Sequence, residues 1–148
     1  NAVFYTELGK LYVLANNTEK ARENFNLALE KKPDYIDASI QNALLLEKEG
    51  NSQGAISQIE GLVVSYPFDV EIIFQLGRLY FNSNQITLAI EQFKRAIILS
   101  PNHSNAHYSL AIAYAARGQK QLAIEEFEKV LELNPGNQDI VKKLEQLR

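Results

Sequence analysis

The chain has 148 residues, 46% of them hydrophobic and 22% charged, with a formal charge of −3. This is the length of one ordinary domain with enough apolar content for a continuous core. Cysteine is absent, which excludes disulfides, thiolate metal sites and cysteine nucleophiles. There is no basic stripe and no apolar run near the roughly 18 residues of a membrane span, so neither nucleic acid nor direct membrane insertion is expected for this segment.

All the prolines, Pro33, Pro67, Pro101 and Pro135, recur at one constant interval. A fixed period in the range of roughly 20–50 residues marks an array whose units bury their apolar faces against one another. With each proline at position 32, the units run 2–35, 36–69, 70–103 and 104–137. Position 20 is Ala21, Ala55, Ala89 and Ala123, and position 15 is Asn16, Gly50, Asn84 and Gly118. Asn and Gly are the residues that most readily take the left-handed conformation ending a helix. Each unit therefore reads as helix A, tight turn, helix B.

In chain order, the first unit predicts a helix up to Asn16 and a second up to Pro33, with Gly9 facing Ala21. The second unit places Gly54 and Gly61 inside its helix B. Each costs about 1 kcal/mol relative to alanine, so this unit is expected to be the soft one. The third unit repeats the first, with Gly77 facing Ala89, and the fourth follows the same plan. Proline stops each helix B, and Asp34, Asp69, Asn102 and Asn137 are expected to cap the helix that follows. Residues 138–148 place Ile140, Val141, Leu144 and Leu147 at helical spacing, which predicts a terminal capping helix.

Groups able to carry catalysis are scarce. His103 and His107 are four residues apart, but there is no HExxH pattern and no third ligand, so packing or surface roles are expected and no metal or cofactor site. There is no GxSxG elbow and no glycine-rich phosphate loop. Glu125, Glu126 and Glu128 read as a solvated helix B face paired with Lys129. No catalytic residue is assigned, and the chain is expected not to be an enzyme.

The first unit carries Tyr5-x2-Leu8-Gly9-x2-Tyr12, then Ala21-x3-Phe25-x2-Ala28 and Pro33. This resembles the tetratricopeptide repeat (TPR) signature, with Tyr in place of the usual first Trp. The third unit matches through Leu76, Gly77, Tyr80, Ala89, Phe93, Ala96 and Pro101, and the fourth through Leu110, Ala111, Tyr114, Ala123, Phe127 and Pro135. The second is degenerate, with Ser39, Asn42 and Leu46 at helix A signature positions. The resemblance covers residues 2–137. It implies an all-α, right-handed superhelical solenoid of four helix-turn-helix units plus the capping helix, taken as a single domain over 1–148.

In this family the concave surface is lined by helix A at positions 2, 5, 6, 9, 12 and 13. Carried over, the resemblance implies a groove containing Ile40, Gln41 and Leu44, then Phe74, Gln75, Arg78, Phe81 and Asn82, then Asn105, Tyr108, Ser109 and Ile112. Ile40, Leu44, Phe74, Phe81, Tyr108 and Ile112 would form an apolar strip partly open to water, flanked by polar groups. Such a strip suits a peptide or protein segment anchored by apolar side chains. The alternative is that these residues pack between adjacent A helices. Chaperone-binding members grip a C-terminal carboxylate with a Lys, Asn, Asn, Lys, Arg set. Here those positions read Thr6, Lys10, Gln41, Glu71 and Gln75 in one register and Ile40, Leu44, Gln75, Asn105 and Ser109 in the next, so no such clamp is expected.

Two other readings stand beside groove binding. Val3, Phe4 and Val13 at the N-terminal side, or the C-terminal helix, would support a structural scaffold that self-associates through its ends. Alternatively the chain is an accessory TPR domain of a larger membrane or envelope-assembly protein. It opens on Asn1 close to a repeat boundary and so reads as a piece of a longer protein. Its Asn, Lys and Ile usage reads as bacterial, with a cytoplasmic or extracytoplasmic location left open.

Overall fold

The computed structural model describes residues 1–148 and is all helical. Its elements are α1 (Ala2–Leu14), α2 (Thr18–Lys31), α3 (Ile36–Lys48), α4 (Ser52–Ser65), α5 (Val70–Asn82), α6 (Ile86–Leu99), α7 (Ser104–Ala116), α8 (Lys120–Leu133) and α9 (Gln138–Leu147). The A helices α1, α3, α5 and α7 and the B helices α2, α4, α6 and α8 each start one proline period after their predecessor. This is the fold class of a TPR solenoid. No helix is long and apolar enough to cross a membrane.

The turn inside each unit is made by one left-handed residue: Asn16 (φ 57°), Gly50 (φ 88°), Asn84 (φ 62°) and Gly118 (φ 75°). The next residue closes it, with the N–H groups of Asn17, Asn51, Gln85 and Gln119 donating to the carbonyls of Tyr12, Leu46, Tyr80 and Tyr114 at 2.9, 2.8, 2.8 and 2.9 Å. That six-to-one bond is the Schellman closure, which satisfies carbonyls orphaned at the helix end.

Capping at the start of the A helices differs from expectation. Asp69 Oδ1 accepts from Ile72 N–H at 3.0 Å and Asn137 Oδ1 from Ile140 N–H at 3.2 Å. Asp34 and Asn102, however, precede the cap position by one residue. The caps there are Tyr35, which makes no side-chain cap bond, and His103, whose Nδ1 accepts from Ala106 N–H at 3.0 Å. The cap lies two residues after each proline, so a polar residue one position earlier remains in the turn.

The helices form two compact units, Asn1–Gly61 and Leu62–Arg148. In the first, α1 packs on α2 and α2 on α3. Ala21, Phe25 and Leu45 form one buried cluster, with Tyr12 and Val13 against it, and Ala2, Ala28 and Ala38 form another. Val13 thus packs on this core, whereas Val3 and Phe4 are exposed. Asn42 occupies the position where Leu76 and Leu110 are buried; its Oδ1 has no hydrogen-bond partner. In the second unit α5 packs on α6, α6 on α7, α7 on α8 and α8 on α9. Ala111, Ile124, Phe127, Val130, Ile140 and Leu144 bury together there, so α9 completes the core beside α8. Burying each large side chain of this kind contributes about 1.5–3 kcal/mol.

The small residue at position 8 makes room for a ring rather than for the alanine expected from the sequence. A Cβ on Gly77 would lie 2.6 Å from Phe93 Cε1, and one on Gly9 would collide with Phe25. Phe25 and Phe93 are fully buried against these glycines, while Phe127 is equally buried in the repeat that has Ala111 at position 8. Gly61, in contrast, has nothing within 4 Å of where a Cβ would stand. Two alanine substitutions should therefore have opposite signs. Gly61→Ala should raise stability by about 1 kcal/mol through helix propensity. Gly77→Ala gains the same propensity but over-packs against Phe93 at about 1–3 kcal/mol, for a net loss of about 1 kcal/mol. Urea unfolding midpoints of the two variants check this, and equal signs would be inconsistent with the ring contact.

Candidate partner-binding groove

In the first unit the expected face is occupied by its own side chains. Lys10 Nζ on α1 donates to Glu7 Oε1 at 2.9 Å and to Asp37 Oδ2 on α3 at 2.8 Å. Gln41 Nε2 donates to the other oxygen of Asp37 at 3.3 Å, and Lys48 Nζ reaches the Val13 carbonyl at 2.9 Å. Partial burial lowers the Lys10 pKa, but the hydrogen bonds to Asp37 and Glu7 and their charges outweigh it, leaving the ammonium above the usual lysine value. Ile40 is 4% exposed and belongs to the core, which corrects its placement on a water-facing strip. Leu44 is half-buried.

The second unit is arranged differently. Phe74 is only 9% exposed, its ring centroid 5.9 Å from that of Phe93 and 5.1 Å from that of His103. It too is a core residue rather than part of an open strip, because a side chain at position 5 of α5 turns inward onto the ring at position 24 of α6. Gln75 Nε2 donates to Glu71 Oε1 at 2.7 Å, and Gln75 Oε1 accepts from Arg78 Nε at 2.9 Å. Asn82 and Asn105 are exposed or half-buried, as are Phe81, Ser109 and Ile112, and Tyr108 is 36% exposed.

Five of these residues converge. Arg78, Phe81, Tyr108, Ser109 and Ile112, with Phe93 beneath, line a cavity of about 170 Å³. A space of this size in an apolar setting accepts roughly one aromatic ring. Tyr108 also borders a larger polar cavity of about 550 Å³ with Asn105, Asn137, Asp139, Ile140, Lys142, Lys143 and Gln146. Ile112 borders a third, of about 160 Å³, with Ala115, Phe127, Lys143, Gln146 and Leu147. These three adjoin along α7, between α5 on one side and α9 on the other.

The α9 contribution is absent from the sequence-based groove, although a signal for it exists. α9 starts one further period after α7, so Asp139, Lys142, Lys143 and Gln146 occupy positions 2, 5, 6 and 9, the same positions that line the groove elsewhere. The capping helix thus also borders these cavities.

His107, Glu126 and Glu128 of the fourth repeat are engaged by neighbouring groups of the fold. His107 is buried, with Nδ1 2.6 Å from Glu126 Oε2 and Nε2 2.7 Å from the Pro101 carbonyl. Glu126 therefore faces inward to α7 rather than to solvent. Lys129 pairs with Glu132 at 3.0 Å, and Glu128 pairs with Arg148. A further cavity of about 210 Å³ lies between α6, α7 and α8, lined by Lys94, Ile97, Ile98, Leu110, Tyr114 and Glu126. Burial there, with Glu126 and Glu125 nearby, raises the Tyr114 phenol above its usual value.

Phe74→Ala should consequently behave as a core truncation, losing about 3 kcal/mol or more. A thermal or urea melt checks it, and a loss under about 1 kcal/mol would return Phe74 to the surface.

Residues 74–138 and residues 2–35 match family models that are both described as Tetratricopeptide repeat. No curated protein matches the chain. Among solved structures, pilF of Pseudomonas aeruginosa is similar at 23% identity and TM-score 0.88, over 99% of this chain and 67% of that one. TTC0263, a thermophilic TPR protein of Thermus thermophilus, has 20% identity and TM-score 0.81, over 99% and 81%. YrrB, described as a TPR protein with an unusual peptide-binding site, has 23% identity and TM-score 0.75, over 96% and 73%. At these identities the structures establish the fold alone.

Proposed function

We propose that this chain, which belongs to the tetratricopeptide repeat family, binds a segment of a partner protein in the groove formed by α5, α7 and α9, without chemistry of its own. TPR folds are in general protein-interaction scaffolds, and one structural neighbour, YrrB, is described by its peptide-binding site. The observation that carries the reading is the half-exposed apolar cavity of Phe81, Phe93, Tyr108 and Ile112 beside a larger polar one. Apolar anchors entering such a cavity supply affinity, and the polar rim orients the segment. The same positions in the first unit are closed by Lys10, Asp37 and Gln41, so binding is assigned to the second.

Ser109→Arg places a long side chain at the mouth of the cavity without removing a packing group. In a display selection of short random peptides against the whole chain, enriched peptides should bind Ser109→Arg at least about tenfold more weakly. Ile98→Ala, on the exposed side of α6, should bind normally. Equal binding to all three proteins would remove the groove as the site.

A second reading is favoured by one observation. Phe4 and Leu11 are each 61% exposed, whereas their equivalents in the three later repeats, Ala38, Ile72 and Ala106 for the first and Leu45, Leu79 and Ala113 for the second, are all buried. An apolar face of this kind suits contact between copies of the chain. If it operates, Phe4→Lys with Leu11→Lys should abolish any concentration-dependent association seen by sedimentation velocity. A monomer at all concentrations in the unmodified chain would dismiss it.

A further inference from the structure

We infer that the segment bound in this groove is acidic: an internal stretch of partner chain whose side-chain carboxylate seats on Lys143 while flanking apolar side chains enter the two small cavities on either side of Ile112. This deepens the groove reading above and rests on it. The first observation is an unmatched charge. Lys10, at a groove position of the first unit, is held by Glu7 and Asp37; Lys20 and Lys32 also lack an ion pair and lie over rings, but both are exposed and border no cavity described above. Lys143 makes no ion pair; its ammonium lies over the Tyr108 ring, 6.0 Å from the centroid. It is half-buried, and it lines both the polar cavity and the smaller apolar one.

Lys142 borders the same polar cavity, and Asp139 is the one acidic group on its lining. The lining therefore has one positive charge in excess. An ammonium partly withdrawn from water beside low-dielectric walls gains more from a carboxylate than a fully hydrated one does. The aromatic ring beneath contributes part of that compensation in the free protein, and Asn105 and Gln146 stand by as further donors at the rim.

The second observation concerns the shape. Apolar volume lies on both sides of Ile112, about 170 Å³ toward α5 and about 160 Å³ toward α9. Lys143 borders the α9-side apolar cavity and the polar cavity of about 550 Å³ but not the α5-side one. A segment that seats a carboxylate on Lys143 and fills the apolar cavities therefore has open room to continue past Lys143 into the polar cavity, which is why an internal side chain is chosen over a C-terminal carboxylate.

The test uses the whole chain and, as probe, a fluorescent peptide taken from the display selection, with its Asp or Glu replaced by the matching amide in a second version. Fluorescence anisotropy should show the amide peptide binding about tenfold or more weakly to the unmodified protein and no differently from the acidic peptide to Lys143→Gln. Raising the salt should narrow the difference. Lys143→Glu should reject the acidic peptide and accept a version carrying Lys at that site. Circular dichroism confirms that the variants, altered at a side chain outside the core, remain folded. If selected peptides bind in a manner blocked by Ser109→Arg, yet the amide swap and Lys143→Gln each change affinity by less than about twofold, the groove stands and the acidic inference falls. If selected peptides place their acid at a free C-terminus, the internal-segment assignment is overturned. If none is selected, or Ser109→Arg does not block, both readings fall.

Discussion

One left-handed residue at the end of each A helix holds the structure to its period. With φ between 57° and 88° at Asn16, Gly50, Asn84 and Gly118, the chain reverses within three residues and the B helix returns along the A helix it has just left. Only Gly and, at modest cost, Asn accept this conformation readily, and the six-to-one bond that follows fixes where helix B begins. The alanine at position 20 can then be fully buried in every unit, and the large residue at position 24, Phe25, Ile59, Phe93 or Phe127, meets the residue at position 8, which is glycine where the ring comes closest. A turn one residue longer would rotate helix B by about 100° and carry both faces out of register.

With that backbone repeated, differences between the two units arise from side chains alone. At position 9 of helix A, Lys10 finds a carboxylate on the next A helix, and the face closes over a polar network. In the fourth repeat the same position is Ile112, with no hydrogen-bonding capacity to close anything, and cavities remain on both sides of it. Polar groups that satisfy one another have little to offer a ligand, because a partner must displace bonds equal to those it makes. Apolar surface left half in water has no such competitor.

The fold was legible because its determinants are local and recur. Proline, the left-handed turn residue and Ala at position 20 each act within a few residues, and four copies separate them from chance. The site was legible only in part. Arg78, Phe81, Tyr108, Ser109 and Ile112 line one cavity, whereas Ile40 and Phe74 do not face water. Position 5 lies at the edge of the packed stripe, and whether it points in or out depends on what the neighbouring helices offer. For Phe74 that is the ring of Phe93 and the imidazole of His103, contacts with residues outside its own helix that spacing along one helix does not encode. That α9 borders the same cavities was hidden because Glu145 stands where a small residue, Gly9, Ala43, Gly77 or Ala111, marks every other A helix, which masks the register that Ile140 and Leu144 still keep.

Core positions and cavity-bordering positions are largely separate in this scaffold. Positions 8, 20 and 24 carry the packing in every repeat, and positions 3 and 10 in the second to fourth; substitution there is felt in full against a dense interior. Positions 6 and 9, occupied by Ser109 and Ile112 in α7 and by Lys143 and Gln146 in α9, border cavities instead. Exchanges there alter charge and shape at little cost to stability. Position 5 is the exception, since Tyr108 borders two cavities while Thr6, Ile40 and the ring of Phe74 are buried. The same ring then supports the wall behind Phe93, so the depth of the apolar cavity is set by the core and its chemistry by the rim. A partner would be selected chiefly at the rim, where Lys143 and Ser109 stand, over a floor that packing has already fixed.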